Sequence, residues 1–159
     1  MKYVLYSHFY SNTFNRAIFY TLDFFLKFLQ TYNNYQSVLQ VYLSRPAKPN
    51  KQLADLTLFL AHVSHCFPEE LKTYPQQLID LLKKYATVLN PETRMSLCRC
   101  LMLMRSKSLI DPVPLFQTFF SLMKCQDKNL RKFLYTHLMN DVKKIKTKVK
   151  NYKLLSVNI

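Results

Sequence analysis

Not one of the 159 residues is glycine, and tryptophan is absent too. Tight hairpins, phosphate-cradling loops and left-handed helix caps draw on glycine, because only a residue without a Cβ enters positive φ at no steric cost. A glycine-free chain therefore excludes Rossmann, P-loop and antiparallel β architectures. Acidic residues are scarce as well: nine Asp and Glu stand against 23 Lys and Arg, a formal net charge of +14. A field of that sign favours polyanions, whether nucleic acid, anionic membrane or an acidic protein surface. Long apolar runs are also lacking. Asp23 and Lys27 interrupt the Tyr-, Phe- and Leu-rich N-terminal stretch, which falls short of the roughly 20 residues that span a bilayer. No small-residue cleavage pattern follows it, as a signal peptide would require.

What remains is helix-forming. Leu, Met, Gln and Lys lose little rotamer freedom in a helix, so the class is all-α. Prolines and Asn or Asp caps punctuate the chain. A first helix is expected from about Asn15 to Leu43, ending at the Pro46 and Pro49 region. A second opens with Asn50 as N-cap and carries Leu53, Leu56, Leu60, Val63 and Phe67 at spacings of three and four. A third starts at Thr73-Tyr74-Pro75, with Leu78, Leu81, Leu82, Tyr85 and Leu89 on one face. Asn90-Pro91 and Asp111-Pro112 each put a capping side chain before a proline at the first helical position, where its missing N–H costs nothing. The helix from Pro91 turns Met95, Cys98, Leu101, Met102 and Met104 inward; the one from Pro112 turns Leu115, Phe116, Phe119, Phe120 and Met123 inward. A last helix opens near Asp127, with Leu130, Phe133, Leu134, Leu138, Val142 and Ile145 on its apolar face. Starts at residues 50, 90 and 127, and at 74 and 111, recur every 37 to 40 residues. That is the period of HEAT or armadillo solenoids. A compact bundle of the same helices is the alternative architecture.

The chemistry-bearing residues are few. Most of the nine carboxylates fall at caps, first turns or loops, where they complement the helix dipole. No nucleophile elbow, metalloprotease pattern or Gly-rich loop occurs, so no catalytic residue is assigned. His62, His65 and Cys66 share one region, with Cys98 or Cys100 as the candidate fourth ligand. Structural zinc, however, takes its ligands in pairs from knuckle-like loops. A helix-end histidine bonded to a carbonyl and buried, reduced thiols are the expected arrangement, with no metal. Cys98 and Cys100, two residues apart on a helix, point to different faces.

The concentrated feature is the C-terminal charge. From Lys128 to Lys153 there are nine Lys and Arg and one acid, Asp141. Lys128, Arg131, Lys132, Lys143, Lys144, Lys146, Lys148 and Lys150 are the candidate binding residues for nucleic acid or an acidic partner. Each lysine near a phosphate releases a counterion. Such runs position a ligand without reading its sequence.

Several blocks resemble one family. They are Leu53 through His65-Cys66-Phe67-Pro68 and Tyr74-Pro75; Val88-Leu89-Asn90-Pro91-Glu92-Thr93-Arg94-Met95; the run from Leu103 to Ile110; and the run from Cys125 to Tyr135. Together they cover roughly residues 24 to 151 and are similar to the N-terminal domain of the SDA (severe depolymerisation of actin) family. The resemblance implies a nucleolar, nuclear factor for assembly and export of the large (60S) ribosomal subunit, with links to actin organisation. Its partners would be the pre-ribosomal particle's proteins and rRNA, with no cofactor, small-molecule substrate or membrane. The implied division is 1–23 as an atypical aromatic segment, 24–147 as the helical-repeat domain and 148–159 as a basic tail with an atypical ending. Both ends depart from the family pattern, and family members continue well past this point, so a truncated form is expected. An adaptor for acidic protein segments that makes no RNA contact, or a membrane-surface protein, are the rival readings.

Overall fold

A computed structural model describes the backbone of residues 2–156 and the side chains of residues 21–146. Every regular element among them is an α-helix: α1 (Lys2–Leu43), α2 (Lys51–Val63), α3 (Tyr74–Tyr85), α4 (Pro91–Ser106), α5 (Pro112–Leu122) and α6 (Lys128–Ser156). The punctuation residues act at the expected starts. Asn50 Oδ1 accepts from the Leu53 N–H at 2.9 Å, and Asn90 Oδ1 from the Glu92 N–H at 3.0 Å. Asp127 Oδ1 does the same for the Leu130 N–H at 3.0 Å. Each satisfies a donor that has no intrahelical partner. Asp111 and Thr73 precede their helices without a side-chain cap bond. There the proline in the first turn carries the start.

Which helix meets which decides between solenoid and bundle. Neighbours in sequence pair as α1 with α2, α3 with α4, and α5 with α6. Alternate helices also stack: α2 on α4, α4 on α6, and α3 on α5. The Tyr35 ring meets Tyr74 edge-on at 5.6 Å, and Gln77 donates to Gln36 at 3.2 Å, which ties α1 to α3. Two layers result, α1-α3-α5 and α2-α4-α6, as in HEAT-type stacks.

The core lies between the layers. Leu60, Leu78, Leu82, Leu101, Leu115, Phe119, Leu130 and Leu134 are all buried. Each such side chain contributes about 1.5–3 kcal/mol through removal from water. At the α1 end, Phe28 stacks on Phe67 with ring centroids 3.8 Å apart, and Phe24 and Phe25 complete the aromatic cluster. α4 touches α2, α3 and α6, so it is buried around most of its circumference. That is why Cys98 and Cys100 are both buried although they point to different faces. Burial pushes each thiol up to about 12, with Arg94 partly offsetting the effect at Cys98.

The structure departs from sequence expectation in five places. α1 begins at Lys2, not near Asn15, and runs unbroken across residues 23 and 24, as α6 does across 147 and 148. α2 stops at Val63, so Cys66 lies in the following turn and is exposed, while Cys125 is only partly buried. Leu89 falls beyond the end of α3, yet the turn there keeps it buried. Phe120, expected inward, is 59% exposed. Finally, α4 ends in a left-handed cap without glycine. Ser108 has φ 62°, Leu109 N–H donates to Met104 C=O and Ser108 N–H to Arg105 C=O, each at 3.0 Å. These are the two bonds of a Schellman motif, which usually places glycine where Ser108 stands.

Candidate nucleic-acid interface

Two ion pairs set the electrostatics of α6. Arg105 on α4 holds Asp141 through Nε at 2.9 Å and also donates to the Ile110 carbonyl. Arg94, mostly buried, donates to the Ala86 carbonyl and lies 3.9 Å from Asp127. Asp127 and Asp141 are therefore each matched by an arginine of α4, while Glu92 at the start of α4 is exposed and lines the adjoining groove.

At 3.6 residues per turn Lys128, Lys132, Lys143 and Lys146 fall within about 60° of one another, while Lys144 projects about 120° from Lys132. Lys132 and Lys144 border the groove between α6 and α4, which Arg99 of α4 also lines. Two continuous stretches of that groove are lined by Arg99, Phe133, His137 and, in turn, Lys132 and Lys144; the larger encloses about 790 Å³. Lys128, Arg131 and Lys146 lie outside that lining, interleaved along α6 with Tyr135, Met139 and Val142 at spacings of three and four. Among the described side chains, all six cations of α6 and Arg99 are exposed. Lys148 and Lys150 lie outside the described side chains.

The groove floor holds a titratable group that the sequence did not single out. His137 packs on Phe133 with ring centroids 4.3 Å apart. Partial burial, and then the Lys144 ammonium, lower its pKa from the usual 6.5. The imidazole is therefore neutral at neutral pH, and the positive charge belongs to Arg99, Lys132 and Lys144. Arg99 was equally invisible from sequence: a single arginine on a helix joins a basic surface only once α6 is laid beside it. Polar Ser96, Thr136 and Asn140 line the groove's walls, together with the carboxylates Glu92, Asp127 and Asp141.

The histidine cluster takes another form. His65 Nδ1 lies 3.0 Å from the Lys107 ammonium, and its Nε2 lies 3.4 Å from Cys66 Sγ. Lys107 also donates to the His62 carbonyl. Cys98 and Cys100 are buried in the core, away from this exposed turn. Among the described residues no three His, Cys, Asp or Glu side chains come together as a metal-holding group. No described helix is long and apolar enough to cross a membrane.

Residues 59–158 match the family model described as SDA1, HEAT repeat. The chain is 48% identical over 128 residues to the protein SDA1 homolog of Xenopus tropicalis, covering 80% of this chain and 19% of that protein. It is 42% identical over 125 residues to the SDA1 homolog of Drosophila melanogaster, covering 79% of this chain and 18% of that one. Against protein SDA1 of Chaetomium thermophilum the identity is 32% over 125 residues, covering 76% and 16%. The chain thus spans about a fifth of the length of the relatives it matches. A two-layer helical stack whose residues 59–158 fit that model places the chain in the SDA1 HEAT-repeat family.

Proposed function

We propose that this chain is a non-catalytic scaffold module for assembly of the large ribosomal subunit in the nucleolus, with residues 24–147 as its helical-repeat domain and rRNA as one of its contacts. Kinship with the SDA1 proteins supports the setting, and through it the links to nuclear export and, indirectly, to actin organisation. The observation that carries the RNA contact is the α4/α6 groove, where Arg99 lines both stretches, Lys132 one and Lys144 the other, while Asp127 and Asp141 are paired with Arg94 and Arg105. Such a groove holds a phosphate backbone by charge, and shape and neighbouring proteins choose the site. Lys148 and Lys150 extend the basic run along the sequence and add to the same attraction.

Sucrose-gradient sedimentation of a tagged chain in nuclear extract tests the reading. The chain is expected to travel with large-subunit precursor particles and to return to the top of the gradient when Arg99, Lys132 and Lys144 become glutamine. A chain that stays at the top with its native residues would refute the assignment.

A further inference from the structure

A second cavity, of about 570 Å³, opens where α4 and α6 begin. Thr87, Pro91 and Arg94 line it together with the run from Lys124 to Asn129. α4 and α6 are 16 and 29 residues long, so each brings the positive end of a full helix dipole to this place. At α6, Asp127 caps the Leu130 N–H. The Lys128 and Asn129 N–H groups ahead of it make no hydrogen bond among the described residues, and free N–H groups at a helix start attract anions. The cavity adjoins the α4/α6 groove and shares Pro91, Asp127 and Asn129 with it. It contains none of Arg99, Lys132 or Lys144, so occupancy of one does not require the other.

A buried arginine points to the ligand. Arg94 is only 7% exposed, yet its Nε has no hydrogen-bond partner among the described residues. Nη1 donates to the Ala86 carbonyl, while Nη2 reaches Asp127 only at 3.9 Å, longer than a hydrogen bond. The guanidinium thus stretches along the inner wall of the cavity, from beside Thr87 to Asp127, with donor capacity unspent. Buried polar groups are ordinarily bonded, and a planar guanidinium grips a phosphate through two parallel bonds. Charge then selects the kind of phosphate. The lining holds three cations, Arg94, Lys124 and Lys128, against one carboxylate, Asp127, a surplus of two positive charges. A phosphorylated serine or threonine carries about −1.5 to −2 at pH 7, and a nucleic-acid phosphodiester about −1. We propose that this cavity receives a phosphorylated serine or threonine of a partner protein, its phosphate seated on the α6 N-terminus between Lys124, Lys128 and Arg94.

The probe is a blocked tripeptide with phosphoserine at its centre, titrated into the full chain at fixed ionic strength and followed by NMR. The Lys128 and Asn129 amide signals are expected to move and saturate, and the unphosphorylated tripeptide to leave them in place. Lys124→Gln with Lys128→Gln, both at exposed sites, should weaken binding about 10-fold or more, read at Asn129. Arg94→Lys keeps the charge but loses the fork and should weaken it too; if that variant does not fold, the lysine pair carries the test alone. Arg99→Gln with Lys144→Gln should leave peptide binding unchanged, so a failed groove and a failed cavity give different results. A phosphopeptide that leaves both amides in place, or one that binds the lysine variant equally well, would overturn the inference. So would a single-stranded RNA that moves the two amides and is not displaced by the phosphopeptide, since the cavity would then hold a nucleic-acid backbone.

Discussion

Replacing Arg99, Lys132 and Lys144 by glutamine removes three positive charges from one groove. Replacing Lys128, Arg131 and Lys146 removes three from outside it. Both triple variants lower the net charge equally, so they separate a local phosphate site from a general basic attraction. All six side chains are exposed, none belongs to the Arg94–Asp127 or Arg105–Asp141 pairs, and the fold should survive in both. On single-stranded RNA each phosphate contact contributes about 0.7 to the slope of log affinity against log salt. Three groove contacts are then worth about 2 of slope. Between 50 and 200 mM salt the native chain should lose roughly 16-fold more affinity than the groove variant. The second variant should keep nearly the native slope. Fluorescence anisotropy with a labelled rRNA fragment, read at five or six salt concentrations, measures all three lines. Equal flattening in both variants would mean that binding senses only total charge, and the assignment of the groove would fall.

The same groove predicts a titration. His137 should titrate below 6.5 by NMR, because burial and Lys144 both disfavour imidazolium. Lys144→Gln should raise the midpoint, and bound RNA should raise it further. Since unfolded His137 takes up its proton near 6.5, its contribution makes stability fall as pH drops from 6.5 toward the lower folded value; a native-state midpoint at or above 6.5 would contradict this. Ser108→Gly should stabilise the fold by about 0.5–1 kcal/mol in urea denaturation, since glycine relieves the left-handed strain but gives back part of it through unfolded-chain entropy; a loss of stability would contradict the cap geometry. The buried Tyr35 hydroxyl has no hydrogen-bond partner among the described residues, whereas Tyr74 donates to the Thr57 carbonyl at 2.8 Å. Tyr35→Phe should therefore be neutral or stabilising and Tyr74→Phe should cost about 1 kcal/mol; equal effects on thermal melting would refute the distinction.

Helix starts were legible because they depend on neighbours a few residues away. Asn50, Asn90 and Asp127 bond to N–H groups two or three positions along, and Pro91 needs only its own ring. The left-handed turn at Ser108 was hidden by the glycine rule. Glycine's absence makes positive φ costly but not forbidden, and the two cap hydrogen bonds offset that cost here. The inward assignment of Phe120 followed α5's own periodicity, which marks an apolar face without saying whether another helix covers all of it.

The candidate site divided in the same way. Residue types and spacing alone determined an all-helical chain, a repeat of about 40 residues and a basic α6, because propensity, capping and charge are written locally. Only the tertiary structure decided that Asp127 and Asp141 are matched by Arg94 and Arg105, that Arg99 joins Lys132 and Lys144, and that Lys128 and Lys146 lie outside that groove. Those outcomes depend on which helix lies beside α6 and at what rotation. Stacking sets both by burying leucines from residues far apart in the chain, and the polar groups take the positions that burial leaves them.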